Sequence, residues 1–299
     1  MGTIVMTGAT AGFGRVAAEQ LLARPGTRLI IGARGTQLSG AETLPLDLAS
    51  LEQVRRFADA VAAALGAGAI DSLILNAGLQ FADADHRTED GFETTFAVNH
   101  LAHYLLLRLL LPRLAQGGTI LLTSSGTHDP AENTIIPAPR HAAAALLAHP
   151  KEDPDLDRSA RRAGGRAYSS SKLCNILTAR ALLGQPFVAE RAITVVAYDP
   201  GATPGTGLVR SAPWPVRLAW RLPPALLRPI LRETSTLAEA GGVLTDLGTG
   251  AIRPPPGRLY ATLRGGRITW PDPSVLARDD AAMAALWADS AWLVGFTPA

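Results

Sequence analysis

Apolar residues in this chain fall into short runs without alternation, at residues 3–7, 27–33, 44–46, 71–75, 119–123, 192–197 and 258–261. Runs of that kind suit strands buried on both faces, as in a parallel sheet covered by helices. Helical spacing over 12–24, 51–65 and 88–114 separates several of them, with Pro112 near the end of the last. Strand and helix in alternation predict a doubly wound α/β fold. The sheet would be mostly parallel, with about seven strands and helices on both faces.

Two stretches interrupt the alternation. Residues 128–166 carry five prolines and an Ala-rich helical piece at 141–149; residues 203–232 are rich in Pro, Arg, Trp and Leu. Both leave from strand ends, where open α/β sheets bind ligands. They read as a helical flap (about 127–166) and a substrate lid (about 203–232) on a single domain spanning 1–299. The segment 209–232, with Trp214 and Trp220, is alternatively an interfacial membrane helix, but its prolines argue against one long helix.

Composition narrows the class. With 47% hydrophobic and 18% charged residues, the chain can bury a core and is not disordered. A net charge of +2 gives no basic field for nucleic acid. The one cysteine, Cys174, excludes an intrachain disulfide and a cysteine-built zinc site, and the six histidines are not spaced as metal ligands. No apolar run reaches the length of a membrane span, and the N-terminus has no charged region of the signal-peptide type. A cytoplasmic protein is expected. Only Lys151 and Lys172 are lysines among 28 basic residues, which makes either conspicuous.

Thr7-Gly8-Ala9-Thr10-Ala11-Gly12-Phe13-Gly14 follows the first strand and opens the first helix. Glycines there let the backbone turn tightly and approach a pyrophosphate, and the helix N-terminus offers free N–H groups. Tyr168 and Lys172 lie four apart on a predicted helix and share a face. A nearby ammonium lowers a phenol's pKa, fitting it to exchange a proton with a carbonyl or alcohol oxygen. The second strand ends in Arg34, where an acidic residue would select NAD by bonding the ribose hydroxyls. An arginine there instead suits a ribose phosphate, and Arg15 is a second candidate for it, so NADP(H) is expected.

Further motifs occur in order: Asp47-Leu48, Asn76-Ala77-Gly78, Asn99, Ser124-Ser125, Tyr168-x-x-x-Lys172 and Pro200-Gly201. With the glycine motif they resemble the short-chain dehydrogenase/reductase superfamily, a Rossmann-type fold, over nearly the whole chain. Asn99-His100-Leu101 and Ser171-Lys172-Leu173-Cys174-Asn175 point to a narrower branch. They resemble retinol dehydrogenases, protochlorophyllide reductase, the WW-domain oxidoreductase and bacterial polyketide-pathway ketoreductases. The resemblance implies catalytic roles for Ser125, Tyr168, Lys172 and Asn99, with Ser125 rather than Ser124 polarising the carbonyl and Asn99 holding a proton relay. It implies cofactor contacts from Gly8, Thr10, Ala11, Gly12, Phe13, Gly14, Arg15, Arg34, Asp47, Leu48, Asn76, Ala77 and Gly78. Tyr168, Lys172, Pro200, Gly201, Thr203 and Thr206 would complete that set, Thr206 matching the family's residue better than Thr203.

The activity expected is NADPH-dependent reduction of a ketone or aldehyde, reversible, on an apolar or polycyclic small molecule. A non-catalytic NADP(H) sensor of the same fold is the alternative, but such proteins usually lack the Tyr or Lys. A sugar-nucleotide isomerase or dehydratase fits the branch poorly. Two features depart from the family: the flap is long, and the 34–47 connection leaves little room for a helix, exposing the adenosine end. Broad apolar faces on the helices beginning near Thr88 and Tyr168 suggest a homodimer or homotetramer, unless the stretch 279–292 covers them.

Overall fold

The computed structural model describes residues 2–206 and 234–296. In chain order it forms β1 (Thr3–Thr7), α1 (Gly12–Leu22), β2 (Arg28–Ala33), β3 (Glu42–Pro45), α2 (Leu51–Leu65) and β4 (Ile70–Leu75). A composite helix follows: α3 (Thr94–Phe96), a π-helical turn (Ala97–Leu101) and α4 (Ala102–Leu110). Next come β5 (Leu114–Thr123), α5 (Ala144–Ala148), α6 (Ala160–Leu183), α7 (Pro186–Glu190) and β6 (Thr194–Asp199). Beyond residue 233 lie α8 (Leu237–Gly248), β7 (Tyr260–Arg264), β8 (Arg267–Thr269) and α9 (Asp280–Leu293).

The strands form one sheet in the order β3-β2-β1-β4-β5-β6-β7-β8. All neighbours are parallel except β7 and β8, a hairpin closed by Gly265 and Gly266 that adds an eighth strand to the expected seven. Its three residues lie half or fully exposed, so no buried run announced it. Between β2 and β3 the chain has no helix, as the short 34–47 connection implied.

Each sheet face carries its own apolar core. Phe57, Phe96, Leu105, Leu122 and Ile176 lie on the side of α2, α4, α6 and α9. Met6, Leu21, Ile31, Leu121 and Leu244 lie on the side of α1 and α8. Each such side chain contributes about 1.5–3 kcal/mol on burial. Ser50 caps α2 by accepting from Gln53 N at 3.2 Å, and Thr236 with Glu239 forms a capping box on α8.

The flap is less helical than the Ala-rich piece at 141–149 suggested: only Ala144–Ala148 coils, since Ala143 is extended and Pro150 stops it. Residues 160–166 belong to α6 rather than to the flap. Asp157 clasps Arg140 at 2.9 Å and Arg166 at 2.6 Å, which ties the flap to α6. A Cβ on Gly164 would lie 2.5 Å from Asp83 N, so a glycine in mid-helix lets the 81–83 loop press against α6.

The α9 helix covers the faces from which two-fold pairing was expected. His100 Nε2 meets Ser290 Oγ at 2.9 Å, Tyr104 donates to Trp287 O at 2.8 Å, and Arg180 reaches Asp280 at 2.6 Å. Of the lid expected at 203–232, residues 207–232 lie outside the described residues, as does the whole of the candidate interfacial segment 209–232. Among the described residues, no helix is long and apolar enough to cross a membrane and no cluster of side chains could hold a metal ion.

Candidate active site

The C-terminal ends of β1, β4, β5 and β6 meet where the sheet order reverses, the place where open α/β sheets take ligands. β1 passes into α1 through Gly8 (φ +69) and Gly12 (φ +58), both in the left-handed region. A Cβ on Gly14 would lie 2.1 Å from Gly8 O, so the turn closes only around glycine. Ala11 sits at the N-cap of α1 without a capping side chain, which leaves the first-turn N–H groups to a ligand. Thr10 and Ala11 stand in this turn, whereas the Phe13 side chain packs toward the α8-side core.

Asn76 ties the turn to the rest of the site. Its Nδ2 donates to Gly8 O at 3.1 Å, and its Oδ1 accepts from Thr123 Oγ1 at 2.9 Å. Thr7 Oγ1 accepts from Asn76 N and Ala77 N at 3.0 and 3.1 Å and contacts His103 Nε2 at 2.9 Å. Because His103 Nδ1 bonds Asn99 O at 3.2 Å, Nδ1 carries the proton and Nε2 accepts from Thr7. Burial holds this ring neutral, with its pKa pushed down to about 3.

Beyond β2 lies a cavity of about 330 Å³ lined by Arg34, Gly35, Thr43, Asp47 and Gln53, among others. It opens where the missing helix would otherwise stand. Arg34 is exposed. Arg15 is exposed too, but pairs with Glu19 at 2.8 Å. Asp47 accepts from Ala49 N at 3.0 Å, while the Leu48 side chain points into the core.

At the other end Tyr168, Lys172 and Ser125 converge. The Ser125 hydroxyl lies near enough to the Tyr168 phenol to hold its pKa down, and its Oγ accepts from Thr127 N at 3.3 Å. Ser124 is turned away: its hydroxyl donates to Lys172 O at 2.9 Å, within the packing of α6 on β5. Lys172 Nζ donates to Thr123 O at 3.1 Å and stands 5.7 Å from the Tyr168 ring centroid. A Cβ on Gly78 would come within 3.3 Å of that Nζ, so glycine makes room for the ammonium. Burial lowers the Lys172 pKa to about 8, against the opposing pull of Asp199. Burial also raises the Tyr168 phenol, the Ser125 hydroxyl opposes this, and Asp199 adds to it. The lowering expected from Lys172 does not figure among the influences on the phenol, which keeps its proton.

Asn99 sits in the π-helical turn between α3 and α4. Its amide makes three hydrogen bonds: Nδ2 donates to Leu79 O at 2.9 Å and Ser171 Oγ at 3.0 Å, and Oδ1 accepts from Leu79 N at 2.8 Å. Pro200 and Gly201 end β6, and the buried Thr203 Oγ1 bonds back to Pro200 O and Gly201 O, both at 3.2 Å. Thr206 reaches across to the glycine turn, its Cγ2 being 3.5 Å from where a Gly12 Cβ would stand.

Several residues near the site carried no role in the sequence reading. Asp199, at 1% exposure, accepts from Gly201 N at 2.9 Å, Arg264 Nη2 at 2.7 Å and Tyr260 OH at 3.1 Å. Its position just before Pro200-Gly201 was the one available signal. Arg264 lies beyond the strand read at 258–261 and had none.

The uncapped α1 N-terminus, reached through a turn that closes only around Gly8 and Gly14, fits a dinucleotide. This architecture defines a dinucleotide-binding protein of the doubly wound class, and comparison with known proteins gives the family. Residues 2–137 match the family model described as short chain dehydrogenase. The chain is 31% identical to dehydrogenase/reductase SDR family member 13 of Bos taurus, over 99% of this chain and 74% of that one. It is 30% identical to retinol dehydrogenase 12 of Bos taurus, over 98% of this chain and 86% of that one. A solved structure of an uncharacterized protein from Mycobacterium paratuberculosis superposes with a TM-score of 0.67 at 30% identity, covering 100% of this chain and 96% of that one. The chain belongs to the short-chain dehydrogenase/reductase family, whose members use nicotinamide cofactors.

Proposed function

We propose that the chain is an NADPH-dependent oxidoreductase that reduces a ketone or aldehyde to an alcohol, reversibly, on an apolar or polycyclic substrate. The observation that carries this reading is the convergence of Tyr168, Ser125 and Lys172 at one wall of the site, the ammonium 5.7 Å from the phenol ring and the serine hydroxyl beside it. NADPH, when bound, supplies hydride to the carbonyl carbon. Tyr168 gives its proton to the carbonyl oxygen, a task suited to a phenol that burial keeps protonated. Ser125 donates a hydrogen bond to the same oxygen as negative charge develops there. Lys172 places positive charge beside the phenol and holds the nicotinamide ribose hydroxyls. Asn99 seats the Gly78–Leu79 loop against the lysine and heads the proton relay.

Arg34 supports NADP(H): it is an exposed guanidinium on a cavity wall with no acidic residue before Glu42. In this reading the cavity takes the adenosine end and Arg34 takes the ribose phosphate. A homodimer or homotetramer requires a surface other than the α4 and α6 faces that α9 occupies.

NADPH oxidation measured across a panel of ketones and aldehydes tests the reading, with Tyr168→Phe assayed beside the wild type. The variant keeps the ring and loses the proton. Turnover should fall by about 10²–10⁴-fold with NADPH affinity little changed. Near-full activity of the variant would move the proton donor elsewhere. Tight NADPH binding without turnover of any carbonyl would favour the sensor.

A further inference from the structure

We propose that His128 is a positioning residue, which fixes the Ser125 hydroxyl against the substrate carbonyl and fastens it to the C-terminal segment at Ser274. The proposal rests on the reading of Ser125 as the carbonyl-polarising group. Ser125 leaves β5 in extended conformation (φ −164, ψ 145) at the start of a single 3-10 turn, Gly126–His128. Its carbonyl accepts twice from His128: from the main-chain N–H at 3.2 Å and from ring Nδ1 at 2.8 Å. Ring Nε2 accepts from Ser274 N at 3.2 Å. Nδ1 must therefore carry the proton and Nε2 the lone pair, which makes the ring neutral and its tautomer fixed.

The ring does not merely fill space. It is 2% exposed, and both of its nitrogens are spent on the main chain of two segments far apart in sequence. Holding the Ser125 carbonyl fixes the peptide plane from which its Oγ springs, and among the described residues the backbone donor on that Oγ is Thr127 N at a long 3.3 Å. The ring also packs edge-on to Tyr260 with centroids 5.1 Å apart. Tyr260 in turn donates to Asp199 Oδ2, and Asp199 holds the Gly201 N–H. The loop bearing Ser125 and the loop bearing Pro200-Gly201 thus lean on one buried cluster of His128, Tyr260, Asp199 and Arg264. Arg264 neutralises the carboxylate at 2.7 Å, and Glu132 approaches the same guanidinium at 3.2 Å.

The test compares His128→Asn, His128→Gln and His128→Ala in the full chain. The asparagine amide N–H falls near the place of Nδ1 and can still donate to Ser125 O. Glutamine places its amide near Nε2 and does not reach that carbonyl. We expect Ala and Gln to lower kcat about tenfold to a hundredfold, the scale of a misplaced catalytic group, with the NADPH Kd changed less than about threefold. Asn should recover turnover to within about fivefold of wild type, even where its Tm matches that of Gln. Equal rescue by Asn and Gln would overturn the proposal, as would kcat, NADPH affinity and Tm falling together. A second readout needs no turnover: long-range ¹H–¹⁵N spectra of ¹⁵N-histidine protein should show His128 protonated on Nδ1. A proton on Nε2 would overturn it. If the wild type reduces no carbonyl, the functional reading alone fails and the tautomer decides the positioning claim.

Discussion

Arg34, on the wall of the cavity beyond β2, and Arg15, on α1, stand exposed, whereas Tyr168 and Lys172 on α6 and Asp199 at the end of β6 are 5%, 3% and 1% exposed. The first end keeps its charges in water, where each acts by direct contact with a charged ligand and is screened by salt. The second end removes its groups from water, and burial moves the Lys172 and Tyr168 pKa values by more than any neighbour does. One region is therefore built to select a ligand, the other to hold protons. Substitutions at the two ends should separate affinity from turnover.

The largest effect is expected from Lys172→Ala. It removes a buried ammonium that serves two partners in the proposed mechanism, and it leaves Thr123 O without one of its two donors, Asn175 Nδ2 remaining at 3.0 Å. Turnover should fall by roughly 10²–10⁴-fold, the worth of positioned proton transfer, and the Kd for NADPH should rise as well. Stopped-flow hydride transfer and a separate fluorescence titration of NADPH check the two effects. Loss of turnover with unchanged affinity would confine the lysine to the phenol.

Arg34→Asp works at the other end. A charge-assisted contact to the ribose phosphate is worth about 1.5–3 kcal/mol, roughly 10- to 100-fold in affinity. NADPH binding should weaken by at least that much, NADH binding far less, and kcat at saturating cofactor should change little. Parallel titrations of both cofactors measure it. Equal weakening of both would remove Arg34 from phosphate recognition.

The pH response follows from Lys172. Its pKa falls from 10.5 to about 8 on burial, so the ammonium is present below about pH 8 and lost above it. The kcat/KM for carbonyl reduction should therefore decline on the basic side of about pH 8, by up to tenfold per pH unit. Stability should move the other way. Between about 8 and 10.5 the unfolded chain binds more protons at this site than the folded one, so unfolding free energy rises with pH there. Lys172→Arg should shift the basic limb upward. A limb unmoved in that variant would assign it to another group.

Much of this site is legible in the sequence because its parts are local. The glycine turn, the Tyr168–Lys172 spacing and the motifs closing β4, β5 and β6 each follow a strand or lie on one helix face. The choice of Ser125 over Ser124 came from resemblance, and the structure supplies a physical reason in the bond from Ser124 to Lys172 O. What escaped was nonlocal. Asp199 and Arg264 are 65 residues apart, and His128 and Ser274 are 146 apart. Neither pair has a periodicity or spacing to betray it. The β7–β8 hairpin escaped for another reason, since its last strand is too short and exposed to form an apolar run.

The smallest effect is expected at Ser124, whose neighbour Ser125 faces the other way and gives one of the larger ones. Ser124 is 1% exposed and donates to Lys172 O; Ser125 is half-buried and faces the phenol. Ser124→Ala removes one buried neutral hydrogen bond, worth about 1 kcal/mol of stability. It should lower Tm by a few degrees and change kcat less than about threefold, because the hydroxyl reaches no reacting atom. Ser125→Ala removes a donor to the developing oxyanion and should lower kcat by roughly 10²–10³-fold with Tm nearly unchanged. Calorimetry and steady-state kinetics on the two variants separate a serine that packs a helix from one that handles substrate. If the two losses were exchanged, the carbonyl would sit against Ser124, and the buried wall would have to open at α6 to admit it.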